Sequence, residues 1–424
     1  MKKMLVVFLF LLLISTTTFA AGKVTLSWWT EWSADTWHQA VDQTVKKFNE
    51  QNPNIEIVPR YIENEAFFTT MRTAFAGGQP PDIFQHESYN QLFQFVRPGQ
   101  VLDITDFCDT IKNRMITGSD ISQRYKGRVW GVPITVIPWS QIFYNVDLLK
   151  QYNISPPGTW DEFLADCEFF KQKGIAPIAI GNKYGWMGST FLYALLARWA
   201  GTDRVNLAVM RKPGVHWTDP DFVQSAKFFE DLCKKGYFSE GKVTDDIGTA
   251  AAQFAQGKSP FMHTGSFLVD IINSMAAPNF HYDVFPFPQI KGQKGDPREI
   301  AWMLEGLSIS KATKYPEQAK RFLEFWTRPE IARALSTTSP ATLLAIKGAM
   351  DPDKVKPITL KIVNEMLVPS TKKMALLDHT TPPEVGEENV ILGSISVMTG
   401  DLTAEQWMAN IEKAAAKYEP TAEF

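Results

Sequence analysis

The sequence predicts an α/β protein divided into two units, and three observations predict it. The order strand, helix, strand, helix, strand opens the chain, which is the pattern of a layered fold with a mostly parallel sheet. The length, 424 residues, exceeds what a single hydrophobic core ordinarily serves. Two proline-rich passages, near Pro133 and near Pro286, break the pattern where the chain would cross between units.

Lys2 and Lys3 precede an apolar run from Met4 to Ile14, and a Ser/Thr stretch leads to Phe19-Ala20-Ala21. This is secretory-leader architecture, and the run falls well short of the ~20 residues of a membrane-spanning helix. Cleavage is expected after Ala20, which leaves small Thr18 and Ala20 at the positions the peptidase reads. No cysteine stands at the cut, so the expectation is a periplasmic or extracellular chain without a lipid anchor.

Val24 to Trp29 reads as a strand. Trp37, Val41, Val45 and Phe48 recur at helical spacing through Asp35–Glu50. Asn52-Pro53 stops that helix, and Ile55 to Val58 supplies a strand. The next helix carries Phe68, Met71 and Phe75 and ends at Gly77-Gly78, where glycine takes the left-handed cap. Pro80 to Phe84 returns a short strand. The apolar stretch Val129–Ile137 then leads to Gln141–Asn145 and a second α/β region. Thr159-Trp160-Asp161-Glu162 is a capping box, with Phe163, Cys167 and Phe170 on the helix's apolar face. Another helix starts at Asp219-Pro220, Pro260 to Met262 reads as a strand, and Gly265-Ser266 opens a further helix. Tyr282 to Gly306 reads as the second crossing passage, followed by Leu307-Ser308-Ile309, a helix at Pro316–Trp326, and helices and loops to Leu402–Tyr418.

Removing Lys2 and Lys3 takes the formal charge from −3 to −5, which offers no footprint for nucleic acid or anionic lipid. The three cysteines, Cys108, Cys167 and Cys233, read as buried thiols. No G-x-S-x-G, H-E-x-x-H or paired C-x-x-C occurs, and Gly257-Lys258-Ser259 lacks the first glycine of a phosphate loop. No two histidines stand at metal-ligand spacing on one helical face. No catalytic residue, metal or cofactor is therefore expected. Among 13 Trp, 29 Phe and 11 Tyr, most of the Phe reads as core, while the Trp excess points to a surface that stacks on sugar rings, since indole offers a broad apolar face beside a polar N–H.

The run Gly127-Arg128-Val129-Trp130-Gly131-Val132-Pro133, continuing through Phe143-Tyr144-Asn145-Val146-Asp147-Leu148-Leu149, resembles the first hinge region of extracellular solute-binding proteins of family 1. These serve ATP-driven sugar importers and include the maltose-binding type. Ala76-Gly77-Gly78 through Pro81-Asp82-Ile83, Pro157 to Phe163, Phe254 to Phe267, and Glu305-Gly306 through Phe325-Trp326 resemble further segments of that family, in the family's order. Two departures stand out: the common lipid-anchor cysteine is missing, and Phe267 stands where tryptophan is usual.

The resemblance implies a two-lobe periplasmic binding protein fold of type II, with the cleft between lobes joined by three crossings. It places residues 21–134 and 286–327 in the N-lobe, and 135–285 and 328–424 in the C-lobe. It implies a monomeric receptor that captures a neutral sugar or oligosaccharide and delivers it to the transmembrane subunits of an ABC permease by hinge closure. A phosphorylated polyol or polyamine is the alternative solute, and a secreted glycoside hydrolase using Glu31, Glu87 and Glu305 is the remaining one.

Residues after the carboxyl ends of parallel strands face such a crevice. On that rule Thr30-Glu31-Trp32 after the first strand, and Gln85-His86-Glu87 after the short strand ending at Phe84, should line the cleft. Trp139 lies by the first crossing, and Trp186 sits in a glycine-rich polar stretch unsuited to a core. Gly265 and Ser266 would present helix N-terminal N–H groups, with Phe267 as an apolar wall. Trp302 and Glu305 stand by the second crossing, and His379, with Glu384, in the loop around Pro382-Pro383.

Overall fold

The computed structural model describes residues 22–31 and 35–420, so the leader cut at Ala20 and the candidate Trp32 lie outside the described residues. Twelve strands are seen among them: β1 (Val24–Thr30), β2 (Ile55–Tyr61), β3 (Ile83–Glu87), β4 (Arg124–Tyr125), β5 (Arg128–Val129), β6 (Val132–Pro138), β7 (Gln141–Asn145), β8 (Ile178–Ala179), β9 (Phe261–His263), β10 (Tyr282–Pro286), β11 (Ile300–Ile309) and β12 (Lys373–Ala375). They form a six-stranded sheet ordered β12-β11-β3-β1-β2 with β6 also on β11, a four-stranded sheet ordered β10-β7-β9-β8, and the β4-β5 hairpin.

The opening β-α-β-α-β unit is as the sequence implies, with β1 parallel to both β2 and β3. Trp37, Val41, Val45 and Phe48 of the helix Asp35–Gln51 are buried, where they pack with Trp28, Phe322 and Trp326 in the first core. Trp326 stands edge-on to both Trp28 and Trp37, at 5.0 and 6.0 Å between ring centroids. In the helix Asn64–Ala76 the most deeply buried face carries Phe67, Met71 and Phe75, and Gly78 takes a φ of +69° just beyond it. The Thr159/Glu162 capping box forms at the head of the helix Trp160–Gln172. All three cysteines are free thiols, Cys167 and Cys233 buried and Cys108 half-buried.

Three expectations need correction. The passage read as a crossing up to Gly306 contains β11, a ten-residue strand buried throughout. It pairs with β3, β6 and β12. A strand covered on both faces shows no polar alternation, so nothing in its sequence announces the period of two. The helix expected at Gly265 begins at Leu268. Finally, residues just after 327 do not pack with the second unit. Ile331, Ala332 and Leu335 of the helix Pro329–Thr338, with Leu344, Ile346 and Ala349, belong to the core around Trp28 and Trp37.

The chain passes from the first sheet to the second between β6 and β7, returns between β10 and β11, and leaves again after Ala349 to pack the helix Pro357–Ile362 against β10. The larger apolar cluster runs unbroken from Phe84 on the first sheet and Phe75 on its helix to Phe261 on the second sheet and Phe191 on its helix. The two lobes are thus in contact across the cleft.

Candidate functional site

β1 and β3 are parallel, so their carboxyl ends, Glu31 and Glu87, emerge at one edge of the first sheet. β11 runs antiparallel to β3 with Glu305 directly opposite Glu87, and antiparallel to β6 with Glu305 opposite Thr135. Directly opposed residues share a face of the sheet, which brings Glu87 and Glu305 together from remote parts of the chain. The β6 register shifts between Glu305 and Gly306, a bulge of the kind that re-aims a side chain. Gly306 is required there, because a Cβ would stand 2.7 Å from His86 Cε1 and 2.8 Å from Gln123 Oε1.

Gln85, two residues before Glu87 and on the same face, ties the acids together. Its Nε2 donates to Glu31 Oε1 at 3.4 Å and to Glu305 Oε2 at 3.3 Å, while its Oε1 accepts from the Thr30 hydroxyl. The Thr135 hydroxyl donates to Glu305 Oε2 at 2.5 Å. Glu31 and Glu305 are 1% and 2% exposed. Burial first, then the charges of Glu87 and Glu305, push the Glu31 carboxyl well above the usual carboxylate range, as expected for acids crowded in a dry site.

His379 meets this cluster from the short helix Leu377–Thr380. Its Nε2 lies 3.1 Å from Glu87 Oε2 and 3.5 Å from Asp378 Oδ2. Burial alone would lower its pKa, but Glu87 and Asp378, with Glu305 behind them, hold it up at about 9. The ring is an imidazolium at neutral pH. Asp378 Oδ1 in turn accepts from the Tyr193 hydroxyl at 2.6 Å.

A second group is aromatic. Trp139 stands 5.4 Å from Phe267 and 6.1 Å from Trp186, edge-on to both, and Trp186 and Phe267 are 6.4 Å apart. Trp186 is the first residue of the helix Trp186–Trp199, set there by Gly185 at φ +85°. Gly265 leaves room for these rings, since a Cβ would fall 2.6 Å from the Phe267 ring and 2.8 Å from Ile137 Cγ2. β6 joins rings to acids: Thr135 and Ile137 project from one face of it, with Trp139 just past its end. The first touches Glu305, the second underlies Gly265, and the third stands beside Phe267. Among the described residues, no donor reaches buried Glu31 Oε2 and no acceptor reaches buried Trp139 Nε1. A polar ligand offering both a donor and an acceptor would satisfy them.

The expected residues therefore divide. Glu31, Glu87, Glu305 and His379 form one group, and Trp139, Trp186 and Phe267 the other. His86 does not join either. Adjacent strand residues point to opposite faces, so His86 turns away from Glu87 and stacks edge-on with Phe84 at 5.8 Å. Its Nε2 pairs with the Ser308 hydroxyl at 2.8 Å; that hydroxyl donates to Trp130 O, so His86 carries its proton on Nε2. Burial pushes its pKa down to about 3. Trp302 likewise faces away from Glu305, packed with Ile300, Leu304, Val136 and Ala345. The N–H of Ser266 is already donated to Pro138 O at 3.2 Å, and Glu384 is exposed. Thr135, Asp378 and Tyr193 were not chosen from sequence. Gln85 was expected at the cleft with His86 and Glu87, and the period of two that selects Glu87 selects Gln85 rather than His86.

Comparison with known proteins agrees with this fold. The chain is 24% identical to the multiple sugar-binding protein of Streptococcus mutans over 338 residues, 75% of each chain. It is 25% identical to the sn-glycerol-3-phosphate-binding periplasmic protein of Salmonella paratyphi A over 410 residues, 86% of each. A solved structure from work on xylan utilization by the thermophilic bacterium Caldanaerobius polysaccharolyticus superimposes with a TM-score of 0.84 at 26% identity, over 92% of this chain and 99% of that one. The family model of bacterial extracellular solute-binding proteins matches residues 18–333, and the chain belongs to that family.

Proposed function

We propose that this chain is the extracytoplasmic receptor of an ABC importer, taking up a neutral sugar or oligosaccharide and handing it to the permease subunits as a monomer. The observation that carries the reading is the pairing of two groups: a ring trio, in which Trp186 and Phe267 of the second lobe meet Trp139 at the end of β6, and an amide-bridged carboxyl cluster on the first sheet. Rings cover the apolar faces of a sugar, and carboxyl and amide groups take its hydroxyls. Phosphate fits poorly, because Glu31, Glu87, Glu305 and Asp378 would repel it and His379 is engaged by two of these acids. The glycerol phosphate ligand of the Salmonella relative does not carry over on this ground.

The same geometry argues against hydrolysis. Glycosidases set their two carboxyl groups on either side of the scissile bond, whereas one Gln85 amide nitrogen binds both Glu31 and Glu305. The two acids thus approach a ligand from one side. A thermal-shift screen of the mature protein tests the proposal, with mono- and oligosaccharides, glycerol 3-phosphate and spermidine as titrants. A ligand bound only by the native state raises the melting temperature. Saccharides are expected to raise it; a shift with glycerol 3-phosphate or spermidine alone would overturn the reading. Release of reducing sugar by the purified protein would contradict the receptor role.

A further inference from the structure

Besides the acid cluster, the ring trio and the shared apolar cluster, two carboxylates from the second lobe reach across to polar groups of the first. Asp270, on the helix Leu268–Met275, accepts through Oδ2 from Ser339 Oγ at 3.2 Å and from Thr36 Oγ1 at 3.4 Å. Ser339 caps the helix Pro329–Thr338, and Thr36 stands in the first turn of Asp35–Gln51. Both helices pack in the first core. Burial pushes the Asp270 carboxyl up, while the Ser339 and Thr36 hydroxyls and the Ala341 N–H favour its ionised form. Glu387 lies in the segment Gly386–Ile391, which packs against the helices Trp186–Trp199 and Ala404–Ala415 of the second lobe. Its Oε1 is 3.3 Å from Arg72 Nη1 and accepts from Gln91 Nε2 at 3.4 Å. Those partners come from the helices Asn64–Ala76 and Asn90–Val96 of the first lobe.

We propose that Asp270 and Glu387 are closure latches, positioning residues that set ligand affinity by holding the lobes shut without touching the ligand. The inference rests on the reading of the chain as a hinged receptor. Their partners all belong to the other lobe, so these contacts exist only while the lobes are together. In such a receptor the apparent dissociation constant is the intrinsic one divided by the closed fraction. A latch therefore changes affinity for every ligand by one common factor. A residue that touches ligand changes it by a factor that depends on which groups the ligand presents.

The test is calorimetric titration of wild type, Asp270→Ala, Glu387→Ala and, for contrast, Glu31→Gln. The titrants are two saccharides of different size, or glycerol 3-phosphate and spermidine if no saccharide binds wild type. That outcome would sink the saccharide reading while leaving the latch testable. Losing two hydrogen bonds to a half-buried carboxylate should weaken binding about tenfold in Asp270→Ala, and losing an exposed ion pair about threefold in Glu387→Ala. Each factor should be the same for both titrants, should appear in the dissociation rate, and should leave the unliganded melting temperature unchanged. Glu31→Gln should weaken the two titrants unequally. Unchanged affinity in Asp270→Ala, or factors that differ between titrants, would overturn the proposal. If Asp270→Ala melts early, Thr36→Val with Ser339→Ala removes the two hydroxyl contacts from the other lobe, leaves the Ala341 N–H in place, and must give a smaller factor that is again common to both titrants.

Discussion

Glu31 is the residue on which stability and binding pull in opposite directions. Its carboxyl is held well above the ordinary range by burial and by Glu87 and Glu305. A carboxyl whose folded pKa is raised adds stability at low pH and loses it as pH rises, so at neutral pH it weakens the unliganded fold. Glu31→Gln keeps the oxygen that accepts from Gln85 and removes the charge. The variant should unfold about 0.5–2 kcal/mol later than wild type at pH 8, by urea titration, and should bind saccharide more weakly. The two tryptophans beside the crossings separate in the same manner. Trp186→Ala should cost on the order of 1–3 kcal/mol of binding with a wild-type melting curve. Trp302→Ala should instead destabilise the fold by about 3–5 kcal/mol and leave calorimetric affinity alone, because its ring packs on the far face of β11.

At the scale of elements, β3 and β11 make the site, and they were unequally legible. β3 was readable because Pro81-Asp82 announces its start and the parallel-strand rule points to its end. Even so, the rule names a loop and not a face, and only strict alternation separates Glu87 from His86. β11 was invisible as a strand because both its faces are covered, so its apolar run carries no period. Trp302 and Glu305 were chosen together for standing by the second crossing, and the strand sets them on opposite faces, Glu305 with Glu87 and Trp302 among Ile300, Leu304 and Val136. The partners Thr135, Asp378 and Tyr193 had no local signal; they meet the acids through strand register and helix packing that no window of sequence contains. The bulge at Gly306 yields a prediction at this scale. Gly306→Ala puts a Cβ within 2.7 Å of His86, and overpacking of this kind costs about 1–3 kcal/mol. Urea unfolding should show that loss, and saccharide affinity should fall with it, because Glu305 is aimed by the same bulge.

For the whole molecule, two buried histidines bound the pH range of stability from opposite sides. His379 has a folded pKa of about 9, above its ordinary 6.5. Its contribution is full below about pH 6.5 and is lost as pH rises through about 9. His86, lowered to about 3, contributes fully above about pH 6.5 and loses that contribution as pH falls toward 3. Thermal unfolding across pH should therefore show a maximum near pH 6.5, falling toward 9 on one side and toward 3 on the other, with His379→Gln flattening the alkaline limb and His86→Gln the acid one. His379 also reaches Glu87 across the cleft, so its loss should weaken ligand binding where the loss of His86 should not. The central claim is that a saccharide is captured by the closing of two lobes, one bearing acids and the other rings. Small-angle scattering of the mature protein with and without a saturating saccharide tests it most directly. The account predicts a smaller radius of gyration with ligand, and a bound-state profile matching the lobe-to-lobe contacts described above. An unchanged profile at saturation would contradict it and would mean a rigid, preformed pocket.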